Sequence, residues 1–205
     1  MYLYVKRLLD VLVVVMLVPF WVPVMLVIAL IIKLSSPGKV LFKQKRYGKN
    51  KKLFTLYKFR TMYTDAPKDT PTHLLNNPGA FITPVGHYLR RFSLDELPNL
   101  ICLIRNDLSL VGPRPALWNQ DDLIAERDKY GANDIKPGIT GWAQINGRDE
   151  LPIEVKARFD GEYARNLTFW MDVKCLFGTV KSVLGSRGVV EGGTGMLEKQ
   201  SEGKL

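Results

Sequence analysis

The chain has 205 residues, 46% of them hydrophobic, and a formal net charge of +9, enough apolar content for one buried core but hardly for a second independent domain. The positive charge points to anionic partners, and phosphorylated substrates, anionic lipid headgroups and nucleic acid all satisfy it. Two cysteines without a C-x-x-C pair, the isolated His73 and His87, and the lack of G-x-x-x-x-G-K-[ST] or G-x-G-x-x-G loops argue against a disulfide scaffold, a zinc site, a Ser-His triad and the commonest nucleotide-binding loops.

From Val11 to Ile32 no side chain is charged, and a straight helix of about 22 such residues rises roughly 33 Å, enough to span a bilayer. Pro19 and Pro23 interrupt it at the midpoint, each removing a backbone hydrogen bond and crowding the preceding turn, so the sequence predicts a kink there. Lys6 and Arg7 precede the segment, and Lys33, Lys39, Lys43, Lys45 and Arg46 follow it. Both flanks therefore carry the charge that prefers the cytoplasmic side. A re-entrant helix hairpin satisfies both flanks, whereas a spanning signal anchor satisfies one.

Residues 40–44 and 53–61 read as two strands joined by the basic turn 48–52. Lys58 and Arg60, two apart, project from one strand face. Residues 65–84 are rich in Pro, Asp, Thr and Asn and read as a loop or an insertion.

Asp95 and Glu96 lie in Arg90-Arg91-Phe92-Ser93-Leu94-Asp95-Glu96-Leu97-Pro98-Asn99. Adjacent carboxylates between arginines suit phosphoryl chemistry, which uses a nucleophile or metal ligand together with cations that hold phosphate. Ser93-x-x-Glu96 is equally a capping box. Pro98 opposes that second reading, because a helix capped at Ser93 would lose a bond at this proline; the Ser-Leu-Asp-Glu turn is then separate and the regular helix starts near Pro98.

Leu97, Leu100, Ile101 and Ile104 repeat at helical spacing, and residues 108–111 read as extended. In Gly112-Pro113-Arg114-Pro115, two prolines fix the backbone around one guanidinium. A polar-faced helix is expected over 118–130. The glycine-rich run from Lys136 to Arg148 suits either a loop that approaches a ligand or a structural turn that packs Trp142. Trp170, Val173, Leu176, Phe177, Val180, Val183 and Leu184 line one helical face, which fits a membrane surface or a core equally. Residues 191–205 read as a disordered tail.

In this order the motifs resemble the small monotopic phosphoglycosyl transferases of the bacterial sugar transferase family. The resemblance rests on Lys6, Arg7 and Asp10, the proline-broken segment, Tyr57 to Met62, Ser93 to Pro98, Val111 to Pro115 and Lys136 to Arg148. One departure is Val22-Pro23, where such members often carry Ser-Pro. The resemblance implies a helix-rich α+β fold. A re-entrant membrane helix over 1–34 would carry a cytoplasmic-face catalytic domain over 35–190, with a small β-hairpin and amphipathic interfacial helices.

It also implies transfer of a phosphosugar from a UDP-sugar to polyprenyl phosphate at the bacterial inner membrane, releasing UMP, as the first membrane step of glycoconjugate assembly. Asp95 would be the nucleophile, and Glu96 would bind Mg²⁺ with Asp95 or deprotonate the acceptor. Lys58, Arg60, Arg91, Arg114 and Arg148 would contact phosphate. Membrane lipids are implied partners, a second copy of the chain is an open option, and nucleic acid is not expected. Two other classes stay open from the residues alone: a non-catalytic basic membrane scaffold and a nucleic-acid-binding membrane protein.

Overall fold

A computed structural model describes residues 2–67, 78–147 and 151–184. Arg148, His73 and the expected tail lie outside them. The apolar N-terminal segment forms two helices, α1 (Tyr2–Met16) and α2 (Val18–Ser35). The break falls at Leu17, which has left helical geometry with φ −88° and ψ 0°. Pro19 sits in the first turn of α2, where a missing N–H is harmless, while Pro23 lies inside that helix. The break leaves the Val14 carbonyl without its helical donor, and the Trp21 indole N–H donates to it at 3.0 Å. Trp21 thus rebonds a carbonyl that the break sets free.

Among the described residues α2 is the one helix long and apolar enough to cross a membrane, with mean hydropathy 2.2. Most of its side chains are exposed, as are Leu3, Tyr4, Leu8 and Met16 of α1. The exceptions moor both helices to the body. Val14 packs with Cys102, Leu103 and Leu108, and Ile28 and Ile32 pack with Phe59 and Leu89.

β1 (Leu41–Tyr47) and β2 (Leu53–Phe59) form an antiparallel hairpin with Leu41 opposite Phe59 and Tyr47 opposite Leu53. Asn50 and Lys51 take positive φ at its turn. Then follow α3 (Pro84–Arg91), α4 (Asn99–Ile104), β3 (Ser109–Val111) and α5 (Asp121–Asp128). β4 (Gly138–Thr140), α6 (Trp142–Ile145), α7 (Ile153–Arg165) and α8 (Phe169–Leu184) complete the described chain. α3 was not anticipated, although Thr83 caps it by accepting from Gly86 N–H at 2.9 Å and Pro84 occupies its first turn.

β3 and β4 pair in parallel, Ser109 beside Gly138 and Val111 beside Thr140. This strand replaces the first half of the expected glycine-rich loop. A Cβ on Gly138 would lie 2.1 Å from Gly112 N, and one on Gly141 would lie 2.1 Å from Gly112 O. These glycines therefore let two backbones touch, which is the structural alternative for this run. Trp142 packs against the cluster of Val111, Tyr163, Met171 and Cys175. α8 combines the two readings offered for it: Met171, Asp172 and Cys175 are buried, while Trp170, Phe177 and Val180 are exposed.

Candidate active site

Ser93 has φ +55° and makes no side-chain cap, so the capping-box reading of the acid pair fails. Leu94–Glu96 instead form a single 3-10 turn, and α4 begins only after Pro98. This turn sinks Asp95 to 8% exposure. It also carries Glu96 onto β2, where Lys58 Nζ meets Glu96 Oε1 at 2.6 Å and lies 4.0 Å from Asp95 Oδ2. Arg114 closes the cluster from the loop after β3, with Nη2 donating to the same Glu96 oxygen at 3.1 Å.

The two carboxylates are driven apart electrostatically. Burial pushes the Asp95 carboxyl above its ordinary value, with Lys58 opposing the rise, the charge on Glu96 adding to it, and Arg90 and Arg114 opposing it. Burial acts on Glu96 in the same sense, but the charges of Lys58 and Arg114 and their hydrogen bonds overcome it and hold the group well below the usual carboxylate range. Glu96 is therefore an ionised anchor for two cations and a poor base. Asp95 is the more basic carboxylate, and among the described residues no hydrogen-bond donor engages it.

The other cations sort differently from the sequence expectation. Arg60 is only 8% exposed; its Nη2 donates to Ser36 O and Ser36 Oγ, each at 2.8 Å, and its Nη1 to Pro37 O. The strand ends at Phe59, and the structure places this long side chain away from the acid pair, on the carbonyls at the end of α2. Gly38, at φ +118°, leaves room for that guanidinium, since a Cβ there would lie 2.2 Å from Nη1. Arg91 is exposed and lies 5.6 Å from the Phe92 ring. Its neighbour Arg90, which sequence reasoning passed over, is the one whose charge bears on Asp95, and its Nε donates to Thr61 Oγ1 at 2.9 Å.

The opening Lys-Arg-x-x-Asp motif fixes α1 on the body. Lys6 Nζ and Tyr2 OH both reach Asp172 Oδ2 at 2.5 Å, and Tyr163 OH donates to Asp172 Oδ1 at 2.5 Å. Arg7 caps the end of α4 by donating to Leu103 O at 2.7 Å and Ile104 O at 3.1 Å. Ser109 Oγ donates to Asp10 Oδ2 at 2.5 Å.

No group of three or more His, Cys, Asp or Glu side chains that could hold a metal occurs among the described residues. A magnesium ion typically needs only one or two carboxylates when substrate phosphates supply further oxygens. The Asp95 carboxylate, without a hydrogen-bond donor among the described residues, and the remaining Glu96 oxygen fit that donor set.

A sunken acid pair among cations, on a body joined to an apolar helix pair, suits phosphoryl chemistry beside a membrane. The pattern of the family described as bacterial sugar transferase matches residues 1–186, and the chain belongs to that family. It is 46% identical over 158 residues to an uncharacterized sugar transferase, EpsL, of Bacillus subtilis (strain 168), covering 77% of this chain and 75% of that one. Identity is 42% over 171 residues to a UDP-glucose:undecaprenyl-phosphate glucose-1-phosphate transferase of Escherichia coli (strain K12). It is 34% over 191 residues to a UDP-N-acetylgalactosamine-undecaprenyl-phosphate N-acetylgalactosaminephosphotransferase of Aeromonas hydrophila. The chain spans only 35% and 44% of the length of these last two relatives.

Proposed function

We propose that this chain transfers a phosphosugar from a UDP-sugar to polyprenyl phosphate, releasing UMP, through a covalent intermediate on Asp95. The observation that carries the proposal is the divergence of the acid pair: Glu96 is hydrogen-bonded to Lys58 and Arg114, while Asp95 lies 4.0 Å from Lys58 with no hydrogen-bond donor among the described residues. The names of two relatives support the donor and acceptor classes.

An Asp95 oxygen attacks the sugar-bearing phosphorus, and the bond from that phosphorus to the UMP oxygen breaks as UMP leaves. A phosphate oxygen of the polyprenyl acceptor then attacks the same phosphorus, and the carboxylate leaves with its electron pair. One phosphoanhydride replaces another, so no further energy source is needed. Lys58 and Arg114 hold phosphate oxygens, with Arg90 at the flank, and Glu96 keeps the first two cations aimed. Magnesium, when held by Asp95 and Glu96 with the substrate phosphates, would neutralise phosphate charge.

With membrane-purified protein and undecaprenyl phosphate, UMP release is expected from at least one of UDP-glucose, UDP-galactose, UDP-N-acetylgalactosamine and UDP-N-acetylglucosamine, and chelation of Mg²⁺ should stop it. Release from none of the four, or equal release by the Asp95→Asn variant, would count against the proposal.

A monotopic placement on the cytoplasmic face follows in the same reading. It is supported by mooring at both ends, since Lys6, Arg7 and Asp10 bind the body that also binds the far end of α2 through Arg60. Single cysteines at Tyr4 and Lys39, both exposed, in a background lacking Cys102 and Cys175, should both be shielded from an impermeant thiol reagent applied to spheroplasts. Labelling of one position alone would mean a spanning helix.

A further inference from the structure

The loop that bears Arg114 is held at four successive carbonyls by donors from outside it. Gly138 N–H donates to Pro113 O, Arg127 Nη2 to Arg114 O, Arg46 Nη1 to Pro115 O and Tyr47 N–H to Ala116 O, each at 2.9 Å. Three of these donors belong to strands β1 and β4 or their ends. Arg127 differs, because it reaches the loop from inside the protein.

Arg127 lies on α5 and is 3% exposed. Its Nε and Nη2 both donate to Asp160 Oδ2, at 2.8 and 2.6 Å, and Asp160 on α7 is 1% exposed. Apolar side chains often fill such a space at no loss of stability. They cannot also donate to the peptide of the one loop arginine that meets Glu96. Nη2 engages Asp160 and Arg114 O together while Nε adds a second bond to Asp160 that fixes the guanidinium plane, and a lysine ammonium has neither that second bond nor a plane to be fixed.

We infer that Arg127, fixed by Asp160, is a positioning residue that holds the Arg114 peptide and so aims the Arg114 guanidinium at Glu96 and the substrate phosphate. The inference rests on the transferase reading above and extends it to two residues remote from the acid pair. Arg127 touches no substrate; its effect passes through one backbone carbonyl.

A double-mutant cycle separates this role from general support of the fold. Arg127→Lys, Arg114→Ala and the double variant are assayed for UMP release with undecaprenyl phosphate and whichever of the four UDP-sugars turns over fastest. Each is assayed below its own melting temperature. Arg127→Lys alone should lower kcat/KM by about tenfold, and by less than about twofold once Arg114 is alanine. The melting temperature should fall by the same amount in both backgrounds, since that part is structural. Asp160→Asn, which keeps the side chain's shape, provides the same cycle if Arg127→Lys does not fold.

Equal fold-losses of kcat/KM in both backgrounds would overturn the inference while leaving the transferase reading intact. Wild-type turnover by Arg114→Ala would overturn the inference as well, because Arg114 would then have nothing to be aimed at, whereas no UMP release by the wild-type protein from any of the four donors would count against the transferase reading itself.

Discussion

Asp95→Asn should lower turnover by about a thousandfold or more while leaving the melting temperature unchanged or slightly higher. The first effect follows from removing the nucleophile, a change of the size seen when a covalent-catalysis group is lost. The second follows from the direction of its ionisation: burial raises the Asp95 carboxyl, so at neutral pH its charge is a cost to the fold that an amide removes. Glu96→Gln should separate from it on stability. Because Glu96 is held below its unfolded value, its ionised form contributes stability at neutral pH, and that contribution is lost as the pH falls below about 4.5. Glu96→Gln should therefore cost about 2 kcal/mol as well as turnover, since Lys58 and Arg114 lose their shared anchor. Equal melting temperatures for the two variants would contradict this division.

Asp172→Ala should be strongly destabilising although it lies away from the acid pair. It removes the acceptor of Tyr2, Lys6 and Tyr163 together and leaves the Lys6 ammonium, 7% exposed, without its partner. Breaking a buried pair in this way costs about 3–5 kcal/mol, a fall of roughly 10 °C in the melting temperature of detergent-purified protein. Lys6→Met combined with Asp172→Asn should recover more than half of the loss, because no ion is left stranded and Tyr163 keeps an acceptor. A double variant no more stable than Asp172→Ala would show that the pair does not moor α1.

Some of this was legible locally. Pro98 argued for a separate acidic turn ahead of α4, which is the arrangement found. The proline pair predicted a break, which falls at Leu17. The choice between Arg90 and Arg91 depends on the phase of α3, and the signal that sets it, Thr83 followed by Pro84, lies in a stretch whose Pro, Asp, Thr and Asn content suggests a loop. Glycine was ambiguous for a physical reason: close approach of backbone to a ligand and close approach of two backbones require the same missing Cβ. Gly138 and Gly141 serve the second purpose.

The long-range ion pairs were not legible at all. Lys6 with Asp172 and Arg127 with Asp160 are 166 and 33 residues apart, and one sequence does not reveal which opposite charges meet. The placement of Arg60 is hidden for a related reason, since its partners are backbone carbonyls at the end of another element.

The covalent step is tested most directly by incubating wild-type protein with a UDP-sugar labelled in the sugar, without lipid acceptor, quenching rapidly and sequencing the labelled peptide by mass spectrometry. A sugar-phosphate adduct on Asp95 that disappears when undecaprenyl phosphate is added is the predicted result. Transfer that occurs only with both substrates present, with no adduct on Asp95 at any quench time, would contradict the account and leave Asp95 assisting a direct displacement.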